Sequence, residues 1–388
     1  MSQEILIHTT PKYIQVAYLE NHRLCEIDME SHQSALRVGD IYYGKVVRIL
    51  PAMRVAFMEI GSERTALLHF DDVYLPLGHG YTEVVQYLRI GMLLPVQISK
   101  LPRGEKGAVV IGQLQLLGAL VIYQPMNTGI NVAKRINDEQ ERLRLYDIIK
   151  QVALLDGVMV RSLAVHQPAE NVCQELQAFQ GQWQQIQELM QNVKKPQLLR
   201  AEYGLTCTFI RDHISAQTLQ IYVDEAQYLQ VKNYMSIGLA AWLPCVQKVK
   251  DKQAPWKTYH IDKIIKAALL PNVGLPSGGS IVIERTEAMT VIDVNTEQAV
   301  QAAFQTNKEA AQIIAQQIRL RNISGIIVVD FIRMRESTQQ EEILAILRDT
   351  FAQDPIFTMV NGFSPLGLVE ISRKRRSNSW TEDYKNEE

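Results

Sequence analysis

One stretch of the sequence, residues 289–331, limits the fold more than any other. AMTVIDVN alternates like a strand and ends on Asp293 and Asn295. A helical stripe follows, with Phe304, Ala311, Ile314, Ala315 and Ile318 on one side, and it closes on Arg319 and Arg321, which complement the helix C-terminal dipole. Ser324-Gly325 then turns the chain into IIVVDF, an almost wholly apolar run that reads as a strand buried on both faces. A strand–helix–strand unit of this kind makes the two strands parallel, joined by a right-handed crossover. Asp293 and Asp330 are then expected at the same carboxyl edge of the sheet, where α/β proteins bind their ligands.

Two carboxylates at such an edge, with an amide two residues away, make a hard oxygen site. Mg²⁺ is commonly held by one or two carboxylates, with water and phosphate oxygens completing its shell. A bound ion of this type lowers the pKa of a bound water and stabilises charge on a transferring phosphoryl group. Aspartates at strand ends also act simply as caps of the next segment, and the pattern alone leaves both readings open.

Composition narrows the class. The 388 residues are 47% hydrophobic and 21% charged, an ordinary globular balance that excludes a disordered or collagen-like chain. Forty Lys+Arg against 42 Asp+Glu give a net charge of −2, so any polyanion site must be a local concentration of cations. Cys25, Cys173, Cys207 and Cys245 are far apart and form no CxxC pair, which argues against a zinc ribbon or a disulfide framework. The eight histidines show no HxH or HExxH spacing, and there is neither a GxSxG elbow nor a GxxxxGK[ST] loop. Gly278-Gly279 reads as a turn. No basic-then-apolar leader opens MSQEILIHTT, and no apolar run approaches the roughly 20 residues of a membrane span, so a cytoplasmic location is expected.

Along the chain, residues 5–30 alternate around a turn at Asn21-His22 and read as a hairpin or meander. From Val38 to about Val110, five short strand-like runs suit a closed OB-type barrel. Tyr42, Tyr43, Phe57, His69 and Phe70 are interleaved there with Lys45, Arg48 and Arg54, the mixture that single-stranded nucleic acid binding requires. About half of those aromatics should instead face the barrel core. DEQERLRLYDIIKQVALL, with Leu143, Ile148 and Val152 among its apolar positions, and a Gln-rich run after Asn171 read as helices. TCTFIRDHI and LQIYVDEA read as strands. Arg373-Lys374-Arg375-Arg376 beside LGLVEIS offers a phosphate clamp, and SNSWTEDYKNEE reads as a polar, disordered tail.

Three segments together, SGGSIVIERTEAMTVIDVNT, LRLRNISGIIVVDFI and GFSPLGLVEISRKR, closely resemble the catalytic signatures of the RNase E/G endoribonucleases. GDIYYGKVVRILPAMRVAFMEIG resembles their S1-type RNA-binding domain. The resemblance implies a multidomain α/β and β fold. An RNase H-like domain (1–36 and 205–267) is split around an S1-type OB barrel (37–115) and a 5′-sensor domain (116–204). A DNase I-like catalytic domain (268–376) and the tail (377–388) follow. It further implies Mg²⁺-dependent cleavage of single-stranded RNA, with Mn²⁺ as a substitute ion and a preference for 5′-monophosphate ends, in rRNA processing and mRNA decay. The products carry 5′-phosphate and 3′-hydroxyl ends. Matched by position, Asp293 and Asp330 are the metal ligands and Asn295 their supporting amide. Phe57, Lys100 and Lys106 match RNA-contacting positions, joined by Arg373, Lys374 and Arg375. Arg161, Ser162 and Arg135 fall in the 5′-phosphate pocket, with Ser162 where Thr is usual.

The sequence also departs from the family pattern. It lacks the CPxC zinc motif, so no structural zinc is expected and a homodimer is left as the candidate assembly. The loop after Asn295-Thr296 is short. Leu67 replaces an aromatic, Arg333 an Asp, Phe357 a basic residue, and Asn131 and Ala133 a Gly and a Ser. These changes point to weaker end-sensing or altered RNA affinity. A catalytically weak RNA-binding paralogue is the alternative; a small-molecule phosphohydrolase would leave the barrel without a role.

Overall fold

The computed structural model describes residues 2–75, 81–102, 105–152, 156–250, 254–296, 303–352, 354–374 and 379–385. The chain divides into two compact units. One comprises residues 1–31, 217–226 and 247–388, the other residues 32–216 and 227–246.

In the first unit, Gln3–Thr9, Tyr13–Glu20 and Arg23–Ser31 form the expected antiparallel meander. Glu20 pairs with Arg23, leaving a two-residue loop in which Asn21 and His22 both have positive φ, 49° and 62°. That is the geometry a tight hairpin needs to follow the strand twist. Thr218–Asp224 then joins Gln3–Thr9 in parallel, so segments some 200 residues apart in sequence share one five-stranded sheet.

The second sheet of this unit has six strands, in the order Asn272–Gly274, Ser280–Arg285, Met289–Asn295, Gly325–Asp330, Val369–Arg373, Thr358–Phe363. The central pair is parallel, as the strand–helix–strand pattern requires. Helix Ala303–Leu320 buries Ala310, Ala311, Ile314, Ala315 and Ile318 against Ile281, Ile292, Ile327 and Val329, and helix Ser337–Phe351 adds Ile343, Leu347 and Phe351 to the same core.

Both helices add to one core, and the expectation that IIVVDF is buried on both faces is corrected here. Ile327 and Val329 are buried, but Ile326 is 54% exposed. An apolar run reports how hydrophobic a strand is, not whether a second layer covers it. Two other expectations are overturned. TCTFIRDHI is not a strand but the helix Leu205–His213. Its β-branched and aromatic residues suggested a strand, yet Thr206, Cys207, Phe209, Ile210 and His213 are buried at helical spacing. The tail, expected to be disordered, contains the helix Trp380–Lys385. Trp380 is fully buried, and its indole N–H donates to the Leu320 carbonyl at 2.8 Å.

In the second unit, Ile41–Leu50, Val55–Glu59, Ala66–His69, Val109–Ile111 and Leu93–Lys100 form the expected five-stranded barrel. It closes because Ile41–Leu50 is long enough to pair with Leu93–Lys100 through Lys45 and with Val55–Glu59 from Lys45 onward. Gly44 sits at that changeover. A Cβ there would lie 3.1–3.2 Å from the side chains of Val96, Ile60 and Met58, so any larger residue would have to push that core aside by a few tenths of an ångström. A four-stranded sheet, Ile130–Val132, Gly157–Val160, Val121–Gln124 and Leu116–Leu117, packs with helices Glu139–Val152 and Ala169–Asn192. Leu145 and Ile149 are the fully buried positions of the first of these helices, while Leu143 is exposed. Among the described residues, no helix is long and apolar enough to cross a membrane.

Candidate functional site

The parallel register pairs Asp293 directly with Asp330. Alternation along each strand puts Thr290, Ile292 and Val294, with Ile327 and Val329, on the buried face. The same alternation turns both aspartates to the open face. Asn295 is two residues further on that face, and its Nδ2 donates to Asp293 Oδ2 at 2.9 Å. Among the described residues, the second oxygen of Asp293 and the Asp330 carboxylate have no side-chain partner. Among the described residues no Lys or Arg pairs with either aspartate, and no group of three or more His, Cys, Asp or Glu side chains gathers to hold a metal ion. Two carboxylates and an amide fit a hard, largely hydrated divalent ion and not a zinc site, which needs softer N and S donors.

The barrel register aligns a second set. Arg48 pairs with Phe57, Phe57 with Leu67, Leu67 with Val109 and Val109 with Lys100. These five residues form one lateral row on the barrel exterior. Arg48 and Lys100 are exposed at its ends, and Phe57, Leu67 and Val109 are half-buried between them. Tyr42 and Phe70 are the aromatics that turn into the core. Lys106 is also exposed but lies outside the row, beside Gly107, whose missing Cβ allows the Thr65 carbonyl to approach.

The third set gathers at one sheet edge. Val132 and Val160 end adjacent parallel strands, so the turn carrying Arg135 and the Arg161-Ser162 step leave the sheet side by side. Arg135 and Ser162 are exposed. Arg161 is not free: its Nη1 donates to the Gly118 carbonyl, and its Nη2 to Asp212 Oδ1 at 3.1 Å. Burial, reinforced by the neighbouring Arg211 cation, pulls its pKa below the ordinary arginine value. Arg211 grips the same Asp212 through Nε at 3.1 Å and Nη2 at 2.8 Å. Close by, the N–H groups of Ala119, Leu120 and Val121 all donate to Glu175, at 2.8–2.9 Å. Burial pushes the pKa of Glu175 up, and those bonds oppose the rise.

The expectation of a clamp at residues 373–376 is corrected at Arg373. Arg373 is 2% exposed and binds Asp354 through Nε at 2.7 Å and Nη2 at 3.1 Å. Its Nη1 donates to Asn322 Oδ1 and to the Ile323 carbonyl. Strand parity explains this, since Val369, Ile371 and Arg373 share the inward face. Lys374 is exposed, and Arg375 lies outside the described residues, as does the segment 297–302 that follows Asn295-Thr296.

A sequence profile described as the ribonuclease E/G family matches residues 115–376. The chain belongs to the ribonuclease E/G family. Ribonuclease G of Salmonella typhimurium (strain SL1344) is 33% identical over 98% of this chain and 81% of its own length. Ribonuclease G of Escherichia coli (strain K12) is 32% identical over 98% of this chain and 81% of its own length. Ribonuclease E of Nostoc sp. (strain PCC 7120) is 34% identical over 94% of this chain, which spans 56% of that longer protein. Membership of the ribonuclease E/G family gives the chain a ribonuclease role in RNA metabolism.

Within this family member, sequence reasoning missed three supporting groups. Asp212 lies in the segment misread as a strand, which hid its place beside Arg161. Gly279 is more than a turn: a Cβ there would fall 2.7 Å from the Asn295 carbonyl and 2.9 Å from Thr306 Cγ2, so only a glycine lets the turn pass this close to the Asn295 backbone and to the helix. Asn307 is a fully buried polar residue on the apolar stripe of that helix, and that misplacement was its signal.

Proposed function

We propose that the chain is a divalent-metal-dependent endoribonuclease that cuts single-stranded RNA at the Asp293–Asp330 edge. The observation that carries this reading is the direct register pairing of the two aspartates on an open sheet face, with Asn295 bonded to one of them. Asp293 and Asp330 would hold Mg²⁺, or Mn²⁺ in its place, and when bound the ion supplies a low-pKa water and charge stabilisation at phosphorus. Asn295 fixes one oxygen of Asp293 and so orients the other. Hydrolysis leaves a 3′-hydroxyl and a 5′-phosphate.

The barrel row is the single-strand site. Phe57 offers a face for a base, and Arg48 and Lys100 meet the flanking phosphates, a sequence-tolerant arrangement. Lys106 and Lys374, both exposed, add local positive charge. Arg161, Ser162 and Arg135 form a 5′-monophosphate pocket, in which the incoming phosphate competes with Asp212 for the Arg161 guanidinium. The split five-stranded sheet is read as the RNase H-like part, the six-stranded sheet as the DNase I-like part, and rRNA processing and mRNA decay as the setting.

The test compares 5′-monophosphate and 5′-triphosphate oligoribonucleotides, each with Mg²⁺ or with EDTA, and maps the product ends. Internal cuts with Mg²⁺ alone, faster on the monophosphate, are expected. Salt-sensitive binding without Mg²⁺-dependent products would replace this reading with that of an RNA-binding paralogue.

A further inference from the structure

Asp330 stands where the sheet stops supporting it. Its pairing with Asp293 is the last in the parallel ladder, and the antiparallel ladder on its other side ends one residue earlier, at Val329 with Val369. Residues 331–336 have no regular structure. A metal-binding carboxylate at the end of a ladder needs some other restraint on the backbone that follows it.

Asn307 supplies one. It lies on the second turn of helix Ala303–Leu320 and is fully buried. Its Nδ2 donates to the Ile332 carbonyl at 2.7 Å, and its Oδ1 accepts from the Ile332 N–H at 3.1 Å. The carboxamide thus gives one residue a donor and an acceptor together, as a neighbouring strand would. A buried amide of this kind is retained at a cost unless both ends are satisfied, and here both are. Phe331, between Asp330 and the clamped residue, is buried in the core under the same helix.

We infer that Asn307 is a positioning residue of the Asp pair, acting on Asp330 through the backbone of Ile332 without touching metal or RNA. The inference rests on the reading of Asp293 and Asp330 as the metal site. Removing the carboxamide frees the backbone two residues beyond Asp330, so the two carboxylates lose their fixed separation.

The test reads Mn²⁺ binding directly, by electron paramagnetic resonance of the free ion against the full chain, with no RNA present. Asn307→Ala is expected to weaken Mn²⁺ binding about tenfold, the scale seen when groups orienting metal ligands are removed. Asn307→Gln keeps a buried carboxamide one methylene out of place, and is expected to fold and to lose at least about threefold. Leu347→Ala, a core truncation in the same unit, lowers the melting temperature but leaves Mn²⁺ affinity at the wild-type value. In cleavage assays with Mg²⁺, kcat falls for the Asn307 variants while KM for RNA holds. Wild-type Mn²⁺ affinity in both Asn307 variants, alongside its loss in Asp330→Asn, would overturn the inference and leave the metal site standing. Wild-type affinity in Asp330→Asn as well would overturn the metal site itself.

Discussion

The acidic edge and the paired arginines of this protein are built on opposite plans. Asp293 and Asp330 face outward, and among the described residues no cation compensates them. Arg161 and Arg373 are already answered, by Asp212 and by Asp354. An uncompensated carboxylate pair gains by binding a cation. A compensated arginine must first give up a carboxylate, or it serves the fold alone. Charge in the sequence therefore says little about ligand binding until its partners are known.

The largest expected effect separates the plans most sharply. Asp293→Asn removes a ligand from the open pair. Several kcal/mol of charge stabilisation are lost, so cleavage falls on the order of a thousandfold while single-stranded RNA binding, measured by fluorescence anisotropy, stays nearly intact. Arg373→Met should do the reverse. Leaving Asp354 buried and unpaired costs about 3–5 kcal/mol in chemical denaturation, with an unchanged salt dependence of RNA binding. A reduced salt slope in Arg373→Met would return that residue to the RNA surface.

The barrel row comes next. Phe57→Ala should weaken single-stranded RNA binding by about 1–3 kcal/mol, and Lys100→Ala should lower the slope of log K against log salt by about 0.7. Asp212→Asn keeps an oxygen for Arg161 but removes the competing charge. The preference for 5′-monophosphate over 5′-hydroxyl RNA should rise by up to about fivefold, the ~1 kcal/mol scale of a partly exposed pair. A fall would show that Asp212 orients Arg161 more than it competes.

The smallest effect is a pH dependence. The Arg144 guanidinium bonded to Glu141, helped by the His166 N–H, holds that carboxyl down at about 2. A depressed folded-state pKa contributes stability that is fully present above the ordinary carboxylate range and is lost as pH falls toward about 2. Melting temperatures of the wild type should therefore drop between about pH 4.5 and pH 2 more steeply than those of Arg144→Met.

Much of the acidic plan was legible in sequence. The change from period 2 to period 3.6 and back, between Met289 and Asp330, dictated parallel strands and put both aspartates at one edge. The barrel was legible too, from its five short strand-like runs separated by turns. The basic plan was not, because compensation is a three-dimensional property. Asp212 lies 51 residues beyond Arg161 and on an element whose β-branched composition disguised a helix. Arg373 was misjudged by reading a charge run as a surface, although its parity with Val369 and Ile371 marked it as inward. Trp380, a large aromatic in a polar tail, was the sign of a docked helix.

One measurement bears most directly on the Asp pair as a metal centre. Asp293→Cys replaces a hard oxygen ligand by a thiolate, which favours softer ions over Mg²⁺. RNA cleavage by this variant, followed across Mg²⁺, Mn²⁺ and Cd²⁺, should be lost with Mg²⁺ and recover with Mn²⁺ or Cd²⁺. Wild-type cleavage with Mg²⁺, or equal inactivity with all three ions beside intact RNA binding, would contradict a metal held by Asp293.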